Sequence, residues 1–361
     1  MKTKAIFLLV LSIILSNCND KDLDQTKPDP VLNNSIVPDD YVIDIPDALS
    51  FDVSLAGGRV LQDNTIAGED IYESLRGFIW VGESSVEILV ELFNNIFNAE
   101  VENLISFSVT SDDDGRQKDF LINQNSTFEQ VDFRYDLTMT DADGSLAARI
   151  LWSLDPVEIV AILSPYHINR NEDASLENAV LRIDYSEDDD DYNETMQVAI
   201  SGLPEAADDL NNLKMFIGKT DNLLDIYGNS NHPNLTIIDS TFTGGRNYAF
   251  VARANEEAEI GVAAIGLPPS AVDTNEDIID DFSVFNVLES ELNAVGITDQ
   301  ALIDQILANA IAPAYFDNDG FISSGPNIPA NLPFTEDFID LSELTPFVPR
   351  EIRDLSVSFS D

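Results

Sequence analysis

Two short acidic turns carry the residue types that bind calcium. The sequences DNDG at 317–320 and DADG at 141–144 contain part of the D-x-[DN]-x-[DN]-G calcium loop. Neither loop is complete, because the Asp of the first ligand position and the Glu of the last one are missing. Asp-Gly pairs between alternating segments are ordinary hairpin turns. We therefore predict two hairpin turns, with weak calcium binding by Asp317 and Asp319 as the alternative.

The densest group of carboxylates is the sequence EDDDD at 187–191. Carboxylates this close raise one another's pKa values or attract a cation. The segment also lies between two alternating stretches, where a charged and solvated hairpin tip discourages edge-to-edge association of strands. We predict such a tip, and loose calcium binding by Asp188 and Asp190 is the alternative.

The sequence contains no recognisable catalytic motif. Its two histidines, His167 and His232, are not at the spacing of a zinc-binding H-E-x-x-H motif. There is no G-x-S-x-G elbow, no P-loop and no G-x-G-x-x-G loop. A Ser-His-Asp triad and a glycosidase pair of carboxylates stay open, because both are assembled in space. The sequence therefore favours a protein without enzymatic activity.

The only cysteine, Cys18, follows a short apolar segment at the N-terminus. Two lysines precede the run AIFLLVLSIIL at 5–15, which has the length of a signal-peptide core and is too short to span a membrane. The sequence LSNC ending at Cys18 resembles the lipobox of bacterial lipoproteins. That resemblance implies a signal peptide over 1–17 and acylation of the Cys18 thiol, with palmitate as a typical chain.

The segment 18–40 follows the expected lipid attachment site. It is interrupted by prolines and poor in apolar residues, which predicts a flexible acidic tether. Asp20 and Asp22 resemble the surface-export signals of Bacteroidetes lipoproteins. This resemblance implies the outer membrane of a Gram-negative bacterium and exposure at the cell surface. The membrane is then a partner of the protein through its N-terminal lipid.

Composition excludes several classes of partner. The 66 acidic residues outnumber the 18 basic ones and give a net charge of −48. Nucleic acid is not expected as a partner, because its phosphates would be repelled. The same charge argues against a basic amphipathic surface that binds anionic lipid. A single cysteine excludes an intramolecular disulfide and a thiolate metal site. We expect no cofactor, and calcium is the alternative.

Periodicity predicts helices at two places and strands between them. Apolar residues at helical spacing predict an αα-hairpin over 66–98, in which Gly82 separates two helices and Ser84 caps the second. Segment after segment alternates between apolar and polar residues from 104 to 266, and short turns join the segments. Such turns favour antiparallel pairing. Capping residues predict a second helix pair within 274–307.

The predicted fold class is α+β, with a large curved antiparallel sheet and two helix pairs packed on it. About a dozen strands in one sheet should curl into a half-barrel or barrel-like shape. We predict a single domain over 41–361, because no linker divides it. Its part 313–361 is rich in proline and is predicted to be irregular. Phenylalanines are predicted to hold this part to the body: Phe316, Phe321, Phe334, Phe338 and Phe347.

Three functional hypotheses follow from the anchor and the fold. The first is a non-enzymatic binding or structural module at the outer membrane, with a surface protein or glycan as partner. The second rests on a resemblance of the predicted architecture to the half-barrel lipoprotein carriers of the LolA/LppX type. That resemblance implies a hydrophobic, lipid-like ligand in a cavity lined by Phe93, Phe97, Phe282 and Phe285. The third is a surface hydrolase of polysaccharide or peptide.

Overall fold

A sheet of 13 antiparallel strands, β1 to β13, dominates the computed structural model. The model describes residues 43–50, 65–98, 106–111, 113–187, 191–204, 212–231 and 246–360. Each strand pairs with its neighbours in sequence, so that chain order and spatial order are the same. The strands are Ser106–Thr110, Gln117–Phe128, Val131–Asp141, Leu146–Leu154, Val157–Leu163, Val180–Glu187, Glu194–Ser201, Leu213–Thr220, Leu223–Ser230, Tyr248–Asn255, Ile260–Gly266, Ala314–Asp317 and Gly320–Ser324.

The predicted α+β class with a large antiparallel sheet is confirmed. Within the described residues β1 and β13 stand at opposite ends of the strand order, so the sheet is open rather than closed into a barrel. Alternation places every second side chain on one face, which we call the inner face. Ile150, Val198 and Ile226 lie on this face and are almost completely buried. The alternating pattern therefore supplies the main hydrophobic core.

Helices pack on both faces of the sheet, and the longest one lies on the inner face. Seven α-helices occur in the described residues: α1 Gly68–Asn98, α2 Pro165–Ile168, α3 Ile278–Asp281, α4 Val284–Ala294, α5 Gln300–Ile306, α6 Glu336–Ile339 and α7 Pro349–Arg353. Ile71 and Leu75 of α1, together with Leu288 of α4, are fully buried in the main core.

None of the helices in the described part of the chain is both long enough and apolar enough to cross a membrane.

The predicted αα-hairpin over 66–98 is wrong, because this segment forms one helix of 31 residues. Gly82 does not end a helix but gives room for a side chain of the sheet. A Cβ atom at Gly82 would lie 2.0 Å from Cε of Met215 on β8. Ser85 follows and donates a hydrogen bond from Oγ to the carbonyl oxygen of Val81 at 2.6 Å, as serine does inside helices. Close contact with the sheet therefore explains this glycine.

The second predicted helix pair forms with different boundaries. Its first helix is interrupted at Phe282, so that α3 has only four residues and α4 begins anew. Ser283 caps α4, since its Oγ accepts a hydrogen bond from the amide of Asn286 at 3.3 Å. A serine at this position satisfies an amide that the helix leaves without a partner. A local cap thus ends the continuous helix that the apolar spacing predicted.

The predicted irregular region 313–361 begins instead with strands β12 and β13, which extend the sheet. The rest of it, residues 326–360, crosses the outer face of the sheet, and we call it the C-terminal strap. The neighbouring residues Tyr315 and Phe316 of β12 lie on opposite faces of the sheet. Phe316 packs against Tyr72 of α1 with ring centroids 5.5 Å apart, whereas Tyr315 packs against Phe334 of the strap at 5.1 Å.

Polar side chains of three separate strands hold the strap on the outer face. Asn229 of β9 donates from Nδ2 to the carbonyl oxygen of Phe347 at 2.7 Å. Arg149 of β4 donates from Nη1 to the carbonyl oxygen of Phe359 at 2.8 Å. Between them, Oγ of Ser201 accepts from the strap at 2.9 Å. The predicted attachment of Phe334, Phe338 and Phe347 to the body is confirmed.

The hairpin of β2 and β3 folds its tip onto the same outer face. Phe128 at the tip lies between two guanidinium groups, with Cζ of Arg149 and Cζ of Arg182 at 4.8 and 5.6 Å from its ring centroid. Both terminal nitrogens of Arg182 donate to the carboxylate of Glu129 at 2.7 Å. The tip turn consists of Glu129 and Gln130, whose φ angles are 49° and 71°. Two positive φ angles are typical of type I′ turns, which favour Asn and Gly.

Replacing Gln130 by Gly is expected to raise the free energy of unfolding by about 0.5–1 kcal/mol. Gln130 is exposed, and the left-handed conformation strains any residue with a Cβ atom. Urea denaturation of the full chain measures the change. Gln130→Ala is the matched control, because it keeps the strain and should leave stability near the starting value. A glycine variant no more stable than the alanine variant would contradict the explanation.

Candidate functional site: a cleft between the sheet and the C-terminal strap

A cleft of about 510 Å³ lies where the first part of the strap leaves the outer face of the sheet. Its floor and walls come from the connected ends of β8 to β11 and from the segment that leads into α6. This volume lies within the range of small-molecule binding sites. The lining residues are Tyr192, Thr220, Leu223, Asp225, Arg253, Asn255, Ile260, Pro333, Thr335, Asp337 and Phe338.

A charged pair forms the centre of the floor. Arg253 of β10 donates from Nε to Oδ1 of Asp225 on β9 at 2.6 Å. Its Nη1 donates to the carbonyl oxygens of Asp337 and Asp340 in the strap, at 3.1 and 3.0 Å. Both side chains of the pair are largely buried, with 15% and 18% exposure. Arg253 therefore has two roles. It pairs with the carboxylate in the floor, and it holds the strap residues of the opposite wall in place.

Tyr192 forms one wall of the cleft in a fixed orientation. Its hydroxyl donates to Oδ2 of Asp225 at 3.3 Å. Burial and the nearby carboxylate raise the pKa of Tyr192 well above its ordinary value, so the hydroxyl stays a donor. A Cβ at Gly218 would lie 2.6–2.7 Å from three ring atoms of Tyr192, which means that one ring face lies on the glycine.

Further aromatic rings continue from Tyr192 across the outer face. Tyr192 and Phe216 have ring centroids 5.6 Å apart. Phe216 is the register partner of Tyr227 on the next strand, and these rings stack at 4.8 Å. Tyr227 in turn contacts Phe347 of the strap at 5.5 Å. These half-buried rings hold the wall of the cleft rigid from the sheet side.

The main chain beneath the cleft is fully engaged in pairing. Strands β9 and β10 lie inside the sheet and are paired on both sides. Their amide and carbonyl groups therefore cannot receive an added strand in the manner of peptide-binding sheets. Recognition in this cleft depends on side chains.

Several predicted site residues fall outside the described structure. Cys18, Asp188, Asp190 and His232 belong to segments that the structure does not describe, and so do the side chains of Phe93 and Phe97 on α1. Phe282 and Phe285 are described, and both are half-buried against the main core on the inner face. The structure thus does not bring these two residues to the outer-face cleft.

The predicted turn at 317–320 is confirmed as the hairpin between β12 and β13. Asp317 and Gly320 are register partners, and Oδ1 of Asp317 accepts from the amide of Asp319 at 3.0 Å. Asn318 in this turn donates to Glu259. Across the described residues, no group of three His, Cys, Asp or Glu side chains has the arrangement of a metal site. Weak calcium binding by Asp317 and Asp319 stays a prediction.

The turn at 141–144 is a hairpin as predicted, but it contains a buried ion cluster that the sequence analysis did not recognise. The side chain of Asp141 is completely buried. It receives Nε of Arg116 and Nζ of Lys118, both at 2.9 Å, and Nε of Arg170 at 2.8 Å. Lys118 also contacts Asp114 at 3.0 Å. The cluster joins the β1–β2 turn, the β3–β4 turn and the segment after α2.

Sequence reasoning also missed the residues of the cleft. Tyr192, Asp225, Arg253 and Thr335 are separated by tens of positions and share no motif. One signal was present: Gly218 stands inside an alternating strand, where a glycine often marks a close approach by another group. That position pointed to the neighbourhood of the cleft.

The fold and the cleft together define a class: an open antiparallel meander sheet, packed on both faces, with a preformed outer-face cleft of ligand size. No protein-family model matches this chain, and neither the curated proteins nor the solved structures contain a significant match to it.

Proposed function

We propose that this protein is a lipid-anchored, non-enzymatic binding and structural module at the outer membrane of a Gram-negative bacterium. Its lipid is carried by Cys18 and its tether is the segment 18–40. The domain that follows presents the outer-face cleft to a partner at the cell surface.

The main support for this proposal is the way in which the charged groups of the cleft are paired. Asp225 accepts hydrogen bonds from both Arg253 and Tyr192, and Arg253 is bound in addition to the backbone of the strap. Groups held in this way give a rigid surface with fixed charges, which suits recognition. A general acid or base must lie within hydrogen-bond reach of the proton that it transfers, and both carboxylate oxygens of Asp225 already accept hydrogen bonds within the protein. The arrangement therefore supports binding more than hydrolysis.

The lipid-carrier hypothesis receives less support from the described part of the inner face. The Gly82–Met215 contact leaves no space between α1 and β8 at that point. Leu75 of α1 is fully buried, as is Ile217 of β8. Such close packing is typical of a filled core rather than of a ligand cavity.

Replacing Cys18 by Ala in the full chain is expected to move the protein from the membrane fraction to the soluble fraction. The acyl chains that it carries would each stabilise membrane attachment by about 0.8 kcal/mol per buried CH2 group. Fractionation and metabolic labelling with a palmitate analogue measure the change. Ser35→Ala, in the tether and outside the lipobox, is the matched control and should leave labelling intact. A Cys18→Ala protein that still bears the label would contradict the anchor.

A further inference from the structure

We propose that the outer-face cleft binds a neutral carbohydrate, with Tyr192 as the stacking platform and the Asp225–Arg253 pair as the hydroxyl-binding group. This inference rests on the proposed binding function and names its ligand class.

The platform is the first observation. Tyr192 is half-buried, one face of its ring lies on Gly218 and its hydroxyl is held by Asp225 at 3.3 Å. The ring is thus fixed before a ligand arrives, and Tyr192 lines the cleft, so that we infer stacking on the ring face that Gly218 does not cover. A flat apolar face of this kind suits the C–H face of a pyranose ring, since the π-face of an aromatic ring is negative and C–H hydrogens are positive. Opposite it, Pro333 and Phe338 supply the second apolar wall.

The polar groups are the second observation. Asp225 supplies acceptor oxygens and Arg253 supplies donor nitrogens, side by side on adjacent strands. Adjacent acceptors and donors match the neighbouring hydroxyl groups of a sugar, each of which both donates and accepts. Thr220 and Thr335 stand at the border of the same cleft and add two hydroxyl groups.

Charge decides between a neutral and an ionic ligand. The positive charge of Arg253 is already matched by Asp225, and Asp337 adds a further carboxylate to the lining. The chain as a whole carries a net charge of −48. An anionic ligand would therefore be repelled. Asp225 and Arg253 together form a neutral pair, which matches a ligand that both donates and accepts hydrogen bonds without a charge of its own.

The pairing of the main chain beneath the cleft favours a carbohydrate over a peptide as the ligand. Because β9 and β10 are paired on both sides, a peptide main chain would not find the strand edge that it usually requires. A sugar needs only the side chains that line this cleft. The volume of about 510 Å³ limits the bound part to a few sugar units.

The test is calorimetric titration of the full chain with a panel of neutral oligosaccharides, their uronic-acid counterparts and unstructured peptides. We expect binding of at least one neutral oligosaccharide. Tyr192→Ala should weaken it about tenfold or more, whereas Tyr192→Phe should stay within about threefold because it keeps the ring. Thr220→Arg should weaken it similarly by filling the cleft from an exposed position. Thr220→Arg keeps the test valid if Tyr192→Ala does not fold.

Arg350→Ala is the matched control, because Arg350 is exposed and lies on the same strap at a different cleft. It should bind like the parent chain. Binding of no oligosaccharide, binding of peptides alone, or binding that neither cleft variant weakens would overturn the carbohydrate proposal. Mass spectrometry of the sugar after incubation separates the two proposals. A cleaved product would overturn the non-enzymatic function and leave the carbohydrate class standing. Peptide binding alone would overturn the carbohydrate class and leave the binding function standing.

Discussion

Replacing Asp141 by Asn is expected to lower the free energy of unfolding at pH 7 by about 3–5 kcal/mol. Asp141 is the one carboxylate that Arg116, Lys118 and Arg170 all contact, within 2.9 Å. The amide variant keeps the shape but removes the negative charge. The buried Lys118 would then depend on Asp114 alone for its neutralisation. The loss should be among the largest that a single near-isosteric change produces in this protein.

The effect of Asp141→Asn should depend on pH. Burial by itself would raise the pKa of Asp141, but hydrogen bonds from Arg116, Lys118 and Arg170 hold it far below the ordinary range. A pKa lowered by folding stabilises the folded state above the unfolded pKa of about 3.9, and this stabilisation is lost as the pH falls further. The two proteins should therefore differ most above about pH 5, and the difference should shrink in stronger acid.

Urea denaturation at several pH values measures this prediction. Asp143→Asn is the matched control in the same turn, since Asp143 contacts Arg170 at 2.6 Å but its side chain is 45% exposed. Exposed pairs contribute little, so this variant should lose much less stability. Equal losses in the two variants would show that burial of Asp141 does not govern the cluster.

Replacing Asn212 by Asp is expected to release the C-terminal end of the strap and to cost about 3 kcal/mol of stability. Nδ2 of Asn212 lies 2.8 Å from the carbonyl oxygen of Ile352 and 3.2 Å from those of Arg353 and Leu355. Asn212 is only 5% exposed. The aspartate removes the donor and places a negative oxygen beside three carbonyl oxygens, where water cannot solvate it.

Hydrogen exchange followed by mass spectrometry locates the effect of Asn212→Asp. Amides of the strap from 349 to 360 should exchange faster, while those of β3 and β4 should be unchanged. Asn222→Asp is the matched control, because Asn222 is exposed and its Nδ2 donates to Glu257 rather than to the strap. In the Asn222→Asp variant, the amides of the strap should remain protected from exchange. Unchanged exchange in Asn212→Asp would mean that the apolar contacts hold the strap without this hydrogen bond.

The helix boundaries are a feature that the local sequence pattern did not predict correctly. At Gly82 the sequence predicts the end of a helix, since glycine weakens helices in general. The structure keeps α1 continuous, because the energy gained by packing Met215 against this glycine outweighs the local preference. Similarly, the prolines after 313 suggested an irregular region, yet β12 and β13 precede all of them and extend the sheet.

The sequence by itself determined the antiparallel sheet of the α+β class, because alternation and short turns are properties of neighbouring residues. It also determined the composition that makes this chain strongly acidic. Only the tertiary structure decided that the sheet stays open, that the strap covers its outer face, and that Asp141 is buried among three cations. The cleft belongs to this second group. Tyr192, Asp225, Arg253 and Thr335 meet only when strands and strap have packed, and contacts between distant residues leave no periodic signal in a single sequence.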